Sequence, residues 1–173
     1  MRIYKSALFA LVAVRLGAAP ALAQNARAVD VTPYVALGSF GASPVGAAVI
    51  FPVTSTLGIE IDTAYRRGEG DIHALSTNTS LLWSLPRVGQ ATPYVGAGVG
   101  LSQYGALVLS SSGSPIGTVS RVALTMNAGG GLQMPVNERI ALRTDARWFK
   151  SFGNQGSEQF RVAQGVSFNV GKR

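Results

Sequence analysis

His73 is the only histidine in this 173-residue chain, two residues after Asp71 and three before Ser76. A serine, a histidine and a carboxylate are the parts of an acyl-transfer site, so these three are the first candidates for chemistry. Their setting argues against it. Asp71 and His73 sit at the end of a loop, no serine is framed by glycines as a nucleophile elbow, and serine is too common here for proximity to count. We read His73 as a loop histidine and expect no catalytic residue; an enzyme acting on lipid acyl chains through His73 stays as an alternative. The chain has no cysteine, and one histidine among scattered carboxylates lacks metal-ligand spacing, so neither a metal site nor any other cofactor is expected. The runs GAGVG and AGGG fall inside alternating stretches and lack the strand-to-helix setting of a phosphate loop.

The remaining candidates are charges in a pattern. In the run from Arg139 to Lys150, RIALRTDARWFK, Ile140, Leu142, Thr144, Ala146 and Trp148 share one parity while Arg143, Asp145 and Arg147 share the other. A period of two is the signature of a strand with two unlike faces. Glu60, Asp62, Arg66, Arg121, Arg143, Asp145, Arg147 and Arg161 all take the parity opposite to the apolar series of their own segments. If those segments line one narrow space, the charges must pair there. The functional reading is a polar gate and the structural reading a plug; an eight-stranded interior, which side chains just fill, favours the plug.

Eight segments alternate in this way: roughly Val29 to Phe40, Val45 to Phe51, Leu57 to Arg66, Ile72 to Trp83, Pro93 to Tyr104, Arg121 to Met134, Ile140 to Lys150 and Phe160 to Val170. No stretch after the first residues has the 3.6-residue period of an amphipathic helix. The connections differ by turns. Proline-containing turns follow the second, fourth and sixth segments, whereas polar, glycine-rich loops follow the third, fifth and seventh, the longest running from Ser110 to Ser120. Short turns at one end and longer loops at the other fit an up-and-down barrel in a membrane. TPYVALG at Thr32 to Gly38 is echoed by TPYVGAG at Thr92 to Gly98, which reads equally as a repeat or as small residues recurring where a narrow barrel bends.

Which face meets which solvent follows from the side chains. The charge-free face carries Ile59, Ile61, Val95, Val99, Val122, Leu124 and Val162; the other carries small and polar residues such as Gly98, Gly100, Thr125, Asn127 and Ser167. These cannot form a dry core, so a soluble sandwich or carrier barrel is the weaker alternative, and lipid is the expected solvent of the aliphatic face. Phe51, Trp83 and Phe168 at the turn end, with Tyr65, Trp148 and Phe160 at the loop end, share the lipid parity and are expected to be the interfacial girdles. Leu124 is placed near mid-membrane.

Residues 1–23 read as a secretory signal: Arg2 and Lys5, an apolar run from Ser6 to Val14, and Ala21-Leu22-Ala23 as a cleavage site, leaving 24–173 as one barrel domain. The whole chain carries 15 basic and 8 acidic residues. Its basic residues are scattered singly along strands and turns, with only Arg66-Arg67 and Lys172-Arg173 adjacent, so no nucleic-acid partner is expected.

TPYVGAGVG at Thr92 to Gly100, ERIALRTDARWF at Glu138 to Phe149 and FRVAQGVSFNVG at Phe160 to Gly171 resemble the small outer-membrane β-barrel family, which includes the transmembrane domain of outer membrane protein A and opacity-type surface proteins. The resemblance implies an eight-stranded antiparallel up-and-down barrel in a bacterial outer membrane, with membrane lipid and the barrel-assembly machinery as partners. One departure stands out: family members commonly end on an aromatic residue, whereas Phe168 is followed here by Asn-Val-Gly-Lys-Arg. The expected function is a structural or surface-interaction role, with an unknown ligand of the outside loops; a narrow pore or small-molecule conduit is the alternative.

Overall fold

A computed structural model describes residues 28–38, 43–68, 72–109, 115–153 and 156–171. The signal assigned to 1–23, together with Phe40 and Asp71, lies outside them. Eight strands close into one antiparallel barrel in sequence order: β1 Val29–Gly38, β2 Val45–Pro52, β3 Leu57–Arg67, β4 His73–Ser84, β5 Thr92–Leu109, β6 Pro115–Pro135, β7 Ile140–Ser151 and β8 Glu158–Val170. Closure is made by β1 against β8, through pairs such as Val35 with Gln164. All eight alternating segments of the sequence become these strands.

Register fixes the barrel's shape. A circuit of paired residues from Leu132 on β6 runs through Thr144, Gln164, Val35, Val45, Tyr65, Leu75 and Gln103. It returns to β6 at Val122, ten residues from its start. A stagger of that size over eight strands requires a strand tilt of about 35–45° and leaves an interior just wide enough for side chains.

The packing is inside out relative to a soluble barrel. Leu37 is 72% exposed, Val35 62% and Val99 61%, while the buried apolar residues are mainly alanines with Tyr34, Tyr94 and Leu82. No aliphatic core exists among them to drive collapse in water, and the outward belt must be solvated by lipid tails.

Two turns show why the chain reverses so tightly at one end. After β2, the Thr54 hydroxyl accepts from the amides of Thr56 and Leu57 at 3.2 and 2.9 Å, and the Val53 amide reaches the Leu57 carbonyl at 2.8 Å. After β6, the Asn137 side chain accepts from Arg139 and Ile140 at 2.8 and 2.9 Å, and Val136 repeats the bond to Ile140 at 2.8 Å. In both, a short polar side chain substitutes for a backbone acceptor.

The loop end departs from the sequence reading in two respects. β5 and β6 run on to Leu109 and from Pro115, so much of the stretch from Ser110 to Ser120 is strand. Beyond Gly105, β5 has lost its pairing with β4, and before Thr125 β6 has not begun to pair with β7; the two strands continue as a hairpin bonded to each other. Leu124 is corrected as well. It lies one residue beyond the last β6–β7 pair, so it marks the loop-end margin of the wall and not its middle. Val99, paired on both sides with Thr79 and Met126, is nearer the centre.

A closed ladder leaves no strand edge in the wall for detergent to open. Unheated protein in dodecyl sulfate should therefore migrate differently on a gel from boiled protein; equal mobility would contradict closure.

Candidate functional site

The lumen holds a network of ion pairs. Glu60 on β3, 1% exposed, accepts from Arg143 Nη2 at 2.5 Å and stands 2.6 Å from Arg147 Nη1 as an ion pair, both from β7. Asp145 accepts from Arg147 Nε through Oδ2 at 3.1 Å and lies 3.6 Å from Arg143 Nη2. Asp62 receives Arg161 of β8 through Nη1 and Nη2 at 3.1 and 3.3 Å. Arg161 Nη2 stands 3.9 Å from Asp145 and so links the two groups. Three carboxylates face three guanidiniums, and charge-assisted bonds in a poorly hydrated interior are the strong class.

Two tyrosines complete it. Tyr34 donates to Asp62 at 2.6 Å and accepts from Arg161 Nη1 at 2.8 Å. Tyr94 donates to Asp145 at 2.9 Å and accepts from Arg143 Nε at 2.7 Å. Each arginine also lies over the ring of its tyrosine, at 4.7 Å for Arg143 and 5.0 Å for Arg161. The rings find room because Gly46 and Gly131 lack a Cβ, which would strike Tyr34 and Tyr94 respectively. On the opposite wall, Thr125 donates to Asn78 at 3.0 Å and Ser80 to Asn127 at 3.1 Å. These side chains from β4 and β6 reach across β5, where Gly98 and Gly100 leave space.

Of the eight charges singled out in sequence, six meet in this network. Arg66 is half-buried and lines a vestibule above it. Arg121 does not face the lumen's interior: it is exposed, because it sits on β6 above the last pair with β7, opposite Tyr104. Sequence reasoning missed Tyr34, Tyr94, Asn78 and Ser80 as partners. The echo TPYV carried the signal for the tyrosines, since it set both in the same place on their strands. Outside, Tyr65, Trp83, Phe160 and Phe168 are exposed and Phe51 and Trp148 half-buried, all on the parity of the aliphatic belt.

The acyl-transfer elements are separated. His73 is exposed at the start of β4, opposite Arg67 and Gly105. Ser76, three residues on, has the opposite parity and its hydroxyl meets Ser102 at 2.9 Å. A strand turns residues three apart to opposite faces, so this serine and histidine cannot meet. Among the described residues no group of three or more His, Cys, Asp or Glu side chains is placed to hold a metal.

The echo extends further than the motif. The turns after β2 and β6 share their bonding, the pair Leu57–Trp83 after the first matches Ile140–Phe168 after the second, and counting from these turns sets Asp62 against Asp145. Both aspartates accept a tyrosine hydroxyl. The same count sets Glu60 against Arg143, which bond to each other.

No protein-family model and no curated protein matches this chain in sequence. Solved structures do match in fold. The N-terminal β-barrel domain of Pseudomonas aeruginosa OprF superimposes with a TM-score of 0.63 at 16% identity, covering 83% of this chain and 97% of that one. Neisserial surface protein A gives 0.63 at 15%, covering 83% and 95%. The outer membrane enzyme PagL gives 0.52 at 13%, covering 82% and 99%. With its polar, ion-paired lumen and outward aliphatic belt, the chain has the fold of the small eight-stranded β-barrels of bacterial outer membranes.

Proposed function

We propose that this chain is an outer-membrane protein with a structural or surface-interaction role, its lumen closed by its own side chains. The observation that carries this is the balanced set of Glu60, Asp62 and Asp145 against Arg143, Arg147 and Arg161, all buried and joined across the lumen. Such a set leaves no continuous water path and needs no mobile counter-ion. Lipid contacts the belt, the barrel-assembly machinery inserts the strands, and the loop end, where β5 and β6 outrun their neighbours, meets the ligand. The body is non-enzymatic, with His73 a surface residue.

Purified barrel in a planar bilayer should pass little current. Large, uniform conductance steps from the unmodified protein would overturn the closed-lumen reading in favour of a pore. His73→Ala should leave the acyl composition of lipid incubated with the protein equal to that seen with the parent; a difference would restore the enzyme reading.

A further inference from the structure

Among the ion pairs of the lumen lies a cavity of about 20 Å³. A single water needs roughly 10–15 Å³ of such space, so this one has room for a water and for no larger solute. Glu60, Arg143, Asp145 and Arg161 form part of its wall, and each is less than one-tenth exposed. Each also carries one polar atom that the protein's own hydrogen bonds leave out.

Arg143 Nη1 and Arg161 Nε are buried donors with no acceptor among the described residues, and Glu60 Oε1 and Asp145 Oδ1 are buried acceptors with no donor. The other atoms of these groups are supplied. Arg143 uses Nε on Tyr94 and Nη2 on the second Glu60 oxygen, while Arg161 uses Nη1 on Tyr34 and both terminal nitrogens on Asp62. The two carboxylate oxygens do meet charge, at 2.6 and 3.0 Å from nitrogens of Arg147. Those contacts are ion pairs without the alignment of a hydrogen bond: Arg147 donates through Nη1 to Ser80 and through Nε to the other Asp145 oxygen. Since both oxygens flank one guanidinium, and Arg161 Nη2 stands 3.9 Å from Asp145 Oδ1, the four groups are near neighbours around the cavity.

We propose that this cavity is the site of one internal water, which bridges the carboxylates of Glu60 and Asp145 to the guanidiniums of Arg143 and Arg161. The unpaired set is balanced, two donors against two acceptors, and a water molecule offers two of each. A buried polar atom without a partner keeps its desolvation cost, which a bridging water removes for a small loss of entropy. A halide ion would meet Glu60 and Asp145 with a like charge, and a sodium ion would meet Arg143 and Arg161 with one; at low dielectric both are repelled. Buried waters typically make about three hydrogen bonds, so three of the four atoms suffice to hold it. The site rests on the closed-lumen reading, because in a flooded lumen each of these atoms would be hydrated separately.

The test is nuclear magnetic resonance of isotope-labelled barrel in phosphatidylcholine bilayer discs, reading cross-peaks from water to the Arg143 Nη1 and Arg161 Nε protons. A held water gives cross-peaks of opposite sign in the laboratory and rotating frames, whereas proton exchange gives the same sign in both. Opposite signs are expected at both arginines. Ala48→Val adds two methyl groups to a residue of the cavity wall and should abolish both cross-peaks. Crystals of the unmodified barrel grown with rubidium bromide should show no anomalous scattering at the site. Absent cross-peaks, cross-peaks of one sign only, cross-peaks unchanged in folded Ala48→Val, or an anomalous peak between the four groups would overturn the proposal. The unmodified protein decides the matter even if Ala48→Val fails to fold. Large conductance steps would overturn the closed-lumen reading, whereas a barrel that passes no current and shows no held water would overturn the site alone.

Discussion

Glu60→Ala should be the most damaging single substitution in the lumen, lowering stability in lipid vesicles by roughly 3–5 kcal/mol as read from urea unfolding. Among the described residues, Glu60 is the one carboxylate with guanidinium nitrogens of two arginines within 2.6 Å. Without it, Arg143, Arg147 and Arg161 have only Asp62 and Asp145 as carboxylate partners among the described residues, and one buried guanidinium is left uncompensated. Breaking a buried pair costs more than the pair contributes, because the orphaned charge keeps its desolvation penalty. A double-mutant cycle separates the two effects: Glu60→Ala with Arg143→Ala should cost clearly less than the two single losses together. Additive losses would mean that water already solvates both groups and that the lumen is wet.

The second large effect is on the outside. Val99→Arg should cost about 2–4 kcal/mol in the same assay, because it places a charge near the middle of the hydrocarbon band. Leu124→Arg should cost about 0–1 kcal/mol, since that residue stands at the loop-end margin where a long cation reaches headgroups. Equal costs at the two positions would show that the belt extends further toward the loops than the girdle of Tyr65, Trp148 and Phe160.

The strands were legible because lipid and lumen impose opposite demands on alternate residues, and RIALRTDARWFK obeys both. Six of the eight charges came together for the same reason: parity alone puts Glu60, Asp62, Arg143, Asp145, Arg147 and Arg161 on one side of the wall. Parity says nothing of height, which explains Arg121. It has the lumen parity, but it rides on a stretch of β6 that has risen out of the wall. The depth of Leu124 was hidden likewise, since the ten-residue stagger is a property of all eight registers together. The pairing of Tyr34 with Asp62 and Arg161 depends on strands 28 and 127 residues apart in sequence, beyond the reach of any local pattern.

The matched halves of the barrel carry a lesson about symmetry. Were this barrel a dimer of identical four-stranded chains, a residue close to the twofold axis would meet its own copy, and a glutamate there would face a glutamate. Two carboxylates a few ångströms apart in a lumen repel while both are charged and can bond only by taking up a shared proton, so they cannot form an ion pair. Joining the halves in one chain removes that constraint, because each copy can change alone. Glu60 and Arg143, which correspond when counted from the two turns, are such a differentiated pair, and their bond could not form in a homodimer of either half.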